Sequence, residues 1–253
     1  MLALQVCSAA LLFVSDFLLI NLSTAARGYP NQVHELSLHL GLPQSPSFLH
    51  HIQTFLFDQL HPDAPIPGSE QPPHLPLFNG RIKVNGCIKV FHSAVAEFFA
   101  PSDPAGVGGM YRGRIRATPS WRSEGPRHDC LFATNNPDLP GMLGLHVARA
   151  VLFFSFKFNR ILYPCALVQW FSLVGEKPCR ETGMWMVERD WEDGTQSMGV
   201  IHVDSIVRGA HLIQPVYGED FVPRHITFSN SLDYYSAYYV SKFGDQHSHE
   251  IAF

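Results

Sequence analysis

The chain has 253 residues, 46% of them hydrophobic, enough for one large domain or two small ones around a sizeable core, which excludes disorder as its global state. Eighteen Lys and Arg against 22 Asp and Glu leave a net charge of -4, so the chain as a whole is no polycation made for nucleic acid or membrane, and any basic site must be local. Five cysteines, at 7, 87, 130, 165 and 179, form no CxxC pair; the odd count and wide spacing disfavour a disulfide framework or zinc finger and suit a reducing compartment.

Residues 1–27 stand apart as an apolar segment. Asp16 interrupts the apolar run at roughly 2.5 to 3.5 kcal/mol for a membrane-centre position, which argues against a spanning helix. A secretory signal, a buried helix and a non-native start remain as alternatives; small residues at 23–26 suit the first, but no Lys or Arg precedes the run. The folded unit is expected to begin near Tyr29. Residues 28–60 predict a helical hairpin: Val33, Leu36 and Leu40 recur at helical spacing, Gly41 and Pro43 stop the run, and Phe48, Ile52, Phe55, Leu56 and Leu60 resume it. His34, Glu35 and His39 are no zincin site, because a spacing of five turns the second imidazole about 140° around the helix. Residues 61–78, with Pro62, Pro65, Pro67, Pro72, Pro73 and Pro76, read as a stiff linker.

Residues 79–253 read as one β-rich domain with a C-terminal helix. Asn85-Gly86 predicts a hairpin turn between residues 81–84 and 87–90. Leu152, Phe154, Phe156 and Phe158 alternate on one strand face, Asn159-Arg160 turns the chain, and residues 161–171 return, with Pro164 placing that strand at an edge or bulge. Residues 184–187 and 199–203 predict two more strands. Leu232, Tyr235, Tyr239 and Phe243 form a helical stripe with Ser231 as N-cap and Gly244 as stop. Several short aromatic strands punctuated by Gly and Pro need closure to hide their edges, so the fold class is α+β: a helical hairpin, a Pro-rich linker, then a partly closed antiparallel barrel with a C-terminal helix.

The charge is uneven. Residues 81–127 hold eight basic groups (Arg81, Lys83, Lys89, Arg112, Arg114, Arg116, Arg122, Arg127) against Glu97, Asp103 and Glu124, a local net of +5. Arg112, Arg114 and Arg116 alternate, so an extended backbone projects all three from one face toward phosphate; Gly106, Gly108 and Gly109 lie upstream, and Trp121 can stack on a base. The competing reading pairs these arginines with residues 176–193, where six carboxylates meet three basic groups. Asp245, His247 and His249 also alternate, and as a strand they would offer three metal ligands; a solvated tail is the competing reading. His92, His128, His202 and His211 are scattered, Cys165 reads as core, and no catalytic constellation or cofactor site emerges, so no enzyme activity is expected.

The blocks HSAVAEFFAPSDPAGVGGMYRGRIRATPSWR (residues 92–122), VARAVLFFSFKFNRILYPCALVQWF (147–171), ETGMWMVE (181–188), GVIHVDSIVRGAHLIQPVYG (199–218) and the ending SKFGDQHSHEIAF together resemble the C-terminal region of Plavaka-type, CACTA-like DNA-transposon-derived proteins of mushroom-forming fungi. The resemblance covers about residues 28–253. It implies a transposon origin, a non-catalytic accessory module that accompanies an upstream transposase core, and an intracellular, nuclear site, with secretion as the alternative if residues 1–26 are a signal; the arginine-rich segment adds the expectation that this module contacts DNA or chromatin. The catalytic core lies outside this chain, and Lys177, Cys179 and Arg180 stand in a loop that is acidic in the family. More faintly, residues 147–217 look like a small barrel of the bromo-adjacent-homology kind. The other readings are a protein-interaction module, a transposon remnant without function, and a metal-dependent hydrolase using Asp245, His247 and His249.

Overall fold

The structure, a computed structural model, describes residues 19–43, 46–61, 87–101, 106–215, 223–244 and 247–249. In chain order the elements are β1 (Leu19–Leu22), α1 (Val33–His39), α2 (Phe48–Leu60), β2 (Lys89–Phe91), β3 (Ser93–Phe99), β4 (Met110–Trp121), β5 (Gly125–His128), β6 (Cys130–Thr134), β7 (Leu145–Phe158), β8 (Ile161–Leu173) and β9 (Met186–Arg189). The short β10 (Trp191–Glu192) and β11 (Thr195–Gln196) follow, then β12 (Met198–His202), β13 (Ile206–Ala210), β14 (Leu212–Ile213), α3 (Ser231–Tyr234) and β15 (Ala237–Val240). The expected architecture is observed: two N-terminal helices, then a β-rich domain forming a nearly closed antiparallel barrel with a short C-terminal helix. Among the described residues no helix is long and apolar enough to cross a membrane.

The β7–β8 hairpin organises the molecule. Asn159 and Arg160, at φ 49° and 67°, form a two-residue turn that brings Phe158 opposite Ile161, the geometry that matches the right-handed strand twist. Leu152, Phe154, Phe156, Cys165 and Leu167 pack against the helices, through Phe48, Ile52, Phe55 and Leu56 of α2. On the opposite face Ala148, Ala150, Phe153, Ala166 and Val168 meet Ile20, Ala94, Ala96, Ile115 and Ala117 of the four-stranded sheet β1-β3-β4-β5. Alanines on both sides let the two sheets approach closely. Pro164 stands one residue beyond the stretch of β8 that β12 covers, where β8 has a strand on one side only, as its missing N–H requires.

The far end of the hairpin belongs to the barrel. The sheet runs β13-β6-β7-β8-β9-β15-β14, and β13 and β14 are one chain segment interrupted only by His211. That segment pairs with β6 through its first half and with β15 through its second, so it closes the circuit. Phe132, Val147, Phe171, Trp185, Val187, Tyr238 and Val240 fill the interior. Outside, the helices are set by local signals. The Ser47 hydroxyl accepts from the His50 N–H at 3.2 Å to start α2, and Gly41, at φ 63°, ends α1 in a Schellman arrangement, with Leu42 N–H donating to the Ser37 carbonyl at 3.0 Å.

Three expectations need correction or lie elsewhere. The folded unit does not begin near Tyr29: β1 pairs Leu19 to Leu22 with Glu97 to Ala94, and Ile20 is buried, because the free edge of β3 takes up this segment as a strand. The C-terminal helical stripe ends after one turn. Ser231 is the first helical residue, Asn230 is the cap position, and residues from Ala237 to Val240 form a strand because pairing with β9 and β14 outweighs their helical spacing. The 81–84 arm of the first predicted hairpin, its Asn85-Gly86 turn and most of the Pro-rich linker lie outside the described residues, whereas Lys89 to Phe91 pair with β7.

Arg160 holds a positive φ that a side chain disfavours, and Asn-Gly is the preferred pair for this turn. Arg160→Gly is therefore expected to raise the unfolding free energy by about 0.5 kcal/mol, measured by urea denaturation, and Arg160→Val to lower it.

Candidate functional site

The alternating arginines lie on an extended strand, as their spacing predicts. In β4 the inward side chains Ile115 and Ala117 are buried against the β7–β8 wall, which turns Arg112, Arg114 and Arg116 to the outer face. Gly108 and Gly109 build the tight turn that leads into the strand: both have positive φ, and Val107 and Met110 exchange backbone hydrogen bonds at 3.1 Å across it. Their part is to reverse the chain; Ala100 N–H already uses the Gly109 carbonyl at 2.7 Å.

The arginines' partners are local. Arg112 Nε meets Glu97 Oε1 at 2.7 Å directly across the β3–β4 ladder, and Arg114 donates to Ser93 Oγ at 3.3 Å. Asp129 Oδ1 accepts from Arg127 Nε at 2.7 Å, while its Oδ2 accepts the Arg116 backbone N–H at 2.9 Å and lies 3.9 Å from the Arg116 guanidinium. The acidic stretch 176–193 supplies none of these partners, which overturns the pairing expected from charge balance alone. Among the described residues Arg114 and Arg122 enter no ion pair.

Trp121 gathers the rest. The guanidinium groups of Arg116, Arg127 and Arg122 lie 4.4, 5.0 and 5.5 Å from its ring centroid, at distances where the ring quadrupole attracts a cation. The indole faces expected to stack on a base carry arginines instead. Burial, then the nearby Arg127 guanidinium, lowers the pKa of Arg116, while Asp129 opposes the shift. Arg122 and Ser123 both hold positive φ, 53° and 64°, at the tip of the β4–β5 hairpin. Two successive non-glycine residues in that region are uncommon, and here they carry Arg122 back over the indole.

The second constellation does not assemble as a strand. Asp245 lies outside the described residues; His247 is buried and His249 exposed, in a turn that becomes helical at Ser248 and His249, so the two imidazoles are not presented on one strand face. Among the described residues no group of three His, Cys, Asp or Glu side chains is placed to hold a metal. The scattered histidines have structural partners: His92 Nε2 lies 2.9 Å from the Tyr29 hydroxyl, and His128 Nδ1 2.9 Å from the Ala150 carbonyl, with burial holding the His128 pKa down. Cys165 is core, its thiol pKa pushed up by burial.

Cys179 was missed as a reactive group by its sequence context. It sits in the turn before β9, where backbone and side-chain hydrogen bonds from Thr182 and a 3.6 Å contact from the Tyr239 hydroxyl favour the thiolate and bring its pKa down to about 7. The helping residue is 60 positions away, so spacing carries no signal of it. Alkylation of Cys179 by iodoacetamide, followed by peptide mass spectrometry, is expected to reach half its maximal rate near pH 7. Tyr239→Phe should move that midpoint upward; a wild-type midpoint near the ordinary thiol value of about 8.5 would remove the activation.

No family model, no curated protein and no solved structure matches the chain.

Proposed function

We propose that the protein is a non-catalytic accessory module of DNA-transposon origin that contacts DNA through the outer face of β4 and β5. The observation that carries this reading is the arginine face itself: five guanidinium groups (Arg112, Arg114, Arg116, Arg122, Arg127) share one surface, and among the described residues only Glu97 and Asp129 form ion pairs with them. The strand spaces Arg112, Arg114 and Arg116 roughly 7 Å apart, two residues per step. Trp121 and Asp129 fix Arg116 and Arg127 in place, which lowers the entropy lost when a guanidinium engages phosphate. Guanidinium groups spaced along one strand suit successive backbone phosphates, a contact that positions the protein on DNA without reading sequence. The barrel and helices serve as scaffold. The transposon origin rests on the word-like sequence blocks, and a transposase core and chromatin are the partners that this origin supplies.

Binding to a duplex oligonucleotide, followed by fluorescence anisotropy across a salt series, tests the reading. Affinity should fall linearly on a log–log plot, and replacing Arg112, Arg114 and Arg116 together by Ala should reduce the slope by about three units, since each neutralised phosphate releases about 0.9 counterion. Circular dichroism confirms that the variant folds. Absence of binding at about 50 mM salt, or an unchanged slope in the folded triple variant, contradicts the proposal.

A further inference from the structure

The Trp121 cluster differs from the rest of the arginine face. Arg112 and Arg114 stand in a row along β4, one pairing with Glu97 and the other donating to Ser93. Arg116, Arg127 and Arg122 instead converge on one ring from three places: β4, β5 and the turn between them. The row also ends there, because the chain reverses at Arg122 and Ser123, both at positive φ, and returns as β5. A nucleic-acid strand laid along β4 faces single guanidinium groups first and a group of three at the hairpin end.

The charges of this cluster are not balanced. Three guanidinium groups surround the indole, and among the described residues Asp129 is the one carboxylate that pairs with any of them, which leaves two positive charges. Asp129 is itself divided. Its Oδ1 accepts from Arg127 Nε at 2.7 Å, and its Oδ2 lies closer to the Arg116 backbone N–H, at 2.9 Å, than to the Arg116 guanidinium, at 3.9 Å. Glu124, exposed at the same tip, enters no ion pair, and neither does Arg122. The Arg116 and Arg127 side chains are 24% and 35% exposed, so a ligand can still reach both. Gathered like charges repel, and the repulsion registers on Arg116: after burial, the guanidinium groups of Arg127, Arg114 and Arg122 all lower its pKa, with Asp129 opposing. An anion that brings two charges to one point offsets this repulsion. An internal phosphodiester brings one; a terminal phosphomonoester brings nearly two at neutral pH, with three acceptor oxygens.

We propose that Arg116, Arg122 and Arg127 bind the terminal phosphomonoester of a DNA strand, so that the module prefers phosphorylated DNA ends to the interior of a duplex. This inference rests on the DNA-contact reading and adds to it: Arg112 and Arg114 hold internal phosphates, and the cluster marks where the strand stops. Asp129 keeps Arg116 and Arg127 side by side. Trp121 steadies all three guanidinium groups through its ring, a contact that consumes none of their N–H donors.

One duplex sequence with an internal fluorophore, prepared with hydroxyl ends, 5′-phosphates, 3′-phosphates, or 5′-phosphates blocked as the singly charged methyl ester, tests the proposal by anisotropy. The full chain should bind one of the two phosphorylated duplexes at least about fivefold more tightly than the hydroxyl duplex at about 100 mM salt, and the preferred one identifies the end. If the 5′ end is preferred, the methyl ester should bind like the hydroxyl duplex; if the 3′ end is preferred, the 3′-methyl ester takes its place. Arg122→Gly, in which glycine suits the φ of 53°, and Arg127→Gln should each bring the phosphate-to-hydroxyl ratio down to about one, with circular dichroism confirming the fold. Equal affinity for phosphorylated and hydroxyl ends overturns this proposal and leaves the DNA contact standing, whereas no binding to any duplex at about 50 mM salt overturns both. A methyl ester bound as tightly as the free phosphate overturns it too, as does an unchanged ratio in the folded Arg122→Gly variant.

Discussion

Two-sided burial of the β7–β8 hairpin is the constraint on which the other layers depend. Its strands, fourteen and thirteen residues long, have the helices on one face and the small sheet on the other, while their far ends line the barrel interior. Phe153 and Phe154 are adjacent and both fully buried, so each belongs to a different core. A shift of one residue in register would exchange these faces, placing phenylalanines where alanines allow the sheets to meet. The irregularity between Ala150 and Leu152 gives the hairpin the bend it needs to pass from flat wall to barrel stave.

The chemistry follows from that packing. Because Ile115 and Ala117 are taken by the wall, β4 has one free face, and its arginines occupy it. Asp129, between β5 and β6, holds two of them and also accepts a backbone N–H from β4, which ties the charged surface to the ladder. At the other end of the same hairpin β8 pairs with β9, and the β10–β11 hairpin that follows forms a two-stranded sheet of its own. Among the described residues positive φ values at non-glycine positions occur at Arg122, Ser123, Asn159, Arg160 and Asp193. All five are in tight turns, so backbone strain among these residues falls at reversals, and in one case it delivers a guanidinium to Trp121.

The legible parts of the sequence are those where a strong period and a local signal agree. Alternating phenylalanines before Asn159-Arg160 mark β7 and its turn, Gly41 stops the first helix, and the arginine triplet marks a one-sided strand. Alanine hides the rest: Ala148, Ala150 and Ala166 share a core face with Phe153 and Val168 yet have little hydrophobic contrast with their neighbours. β1 is illegible because Leu19 to Leu22 close a longer apolar run that has no strand period of its own, and only its partner β3 decides its conformation. Near the C-terminus, Tyr239, at helical spacing from Tyr235, enters a strand because tertiary pairing overrides a weak periodic signal. Pairing partners are the hardest to foresee. Glu97 and Asp129 reach the arginines through ladder geometry, and Tyr239 reaches Cys179 from a distant strand.

If the hairpin is the shared wall, the helical layer, the small sheet and the barrel cannot open separately while it stays formed. Native-state hydrogen exchange in low urea measures this directly. The slowest amides of α2, β4 and β6 should exchange with the same opening free energy and the same urea dependence as those of β7 and β8, in one global unfolding event. Amides of α2 that exchange through an opening of clearly lower free energy and smaller urea dependence, with β7 and β8 still protected, would show instead that the helices form a separable unit and contradict the account.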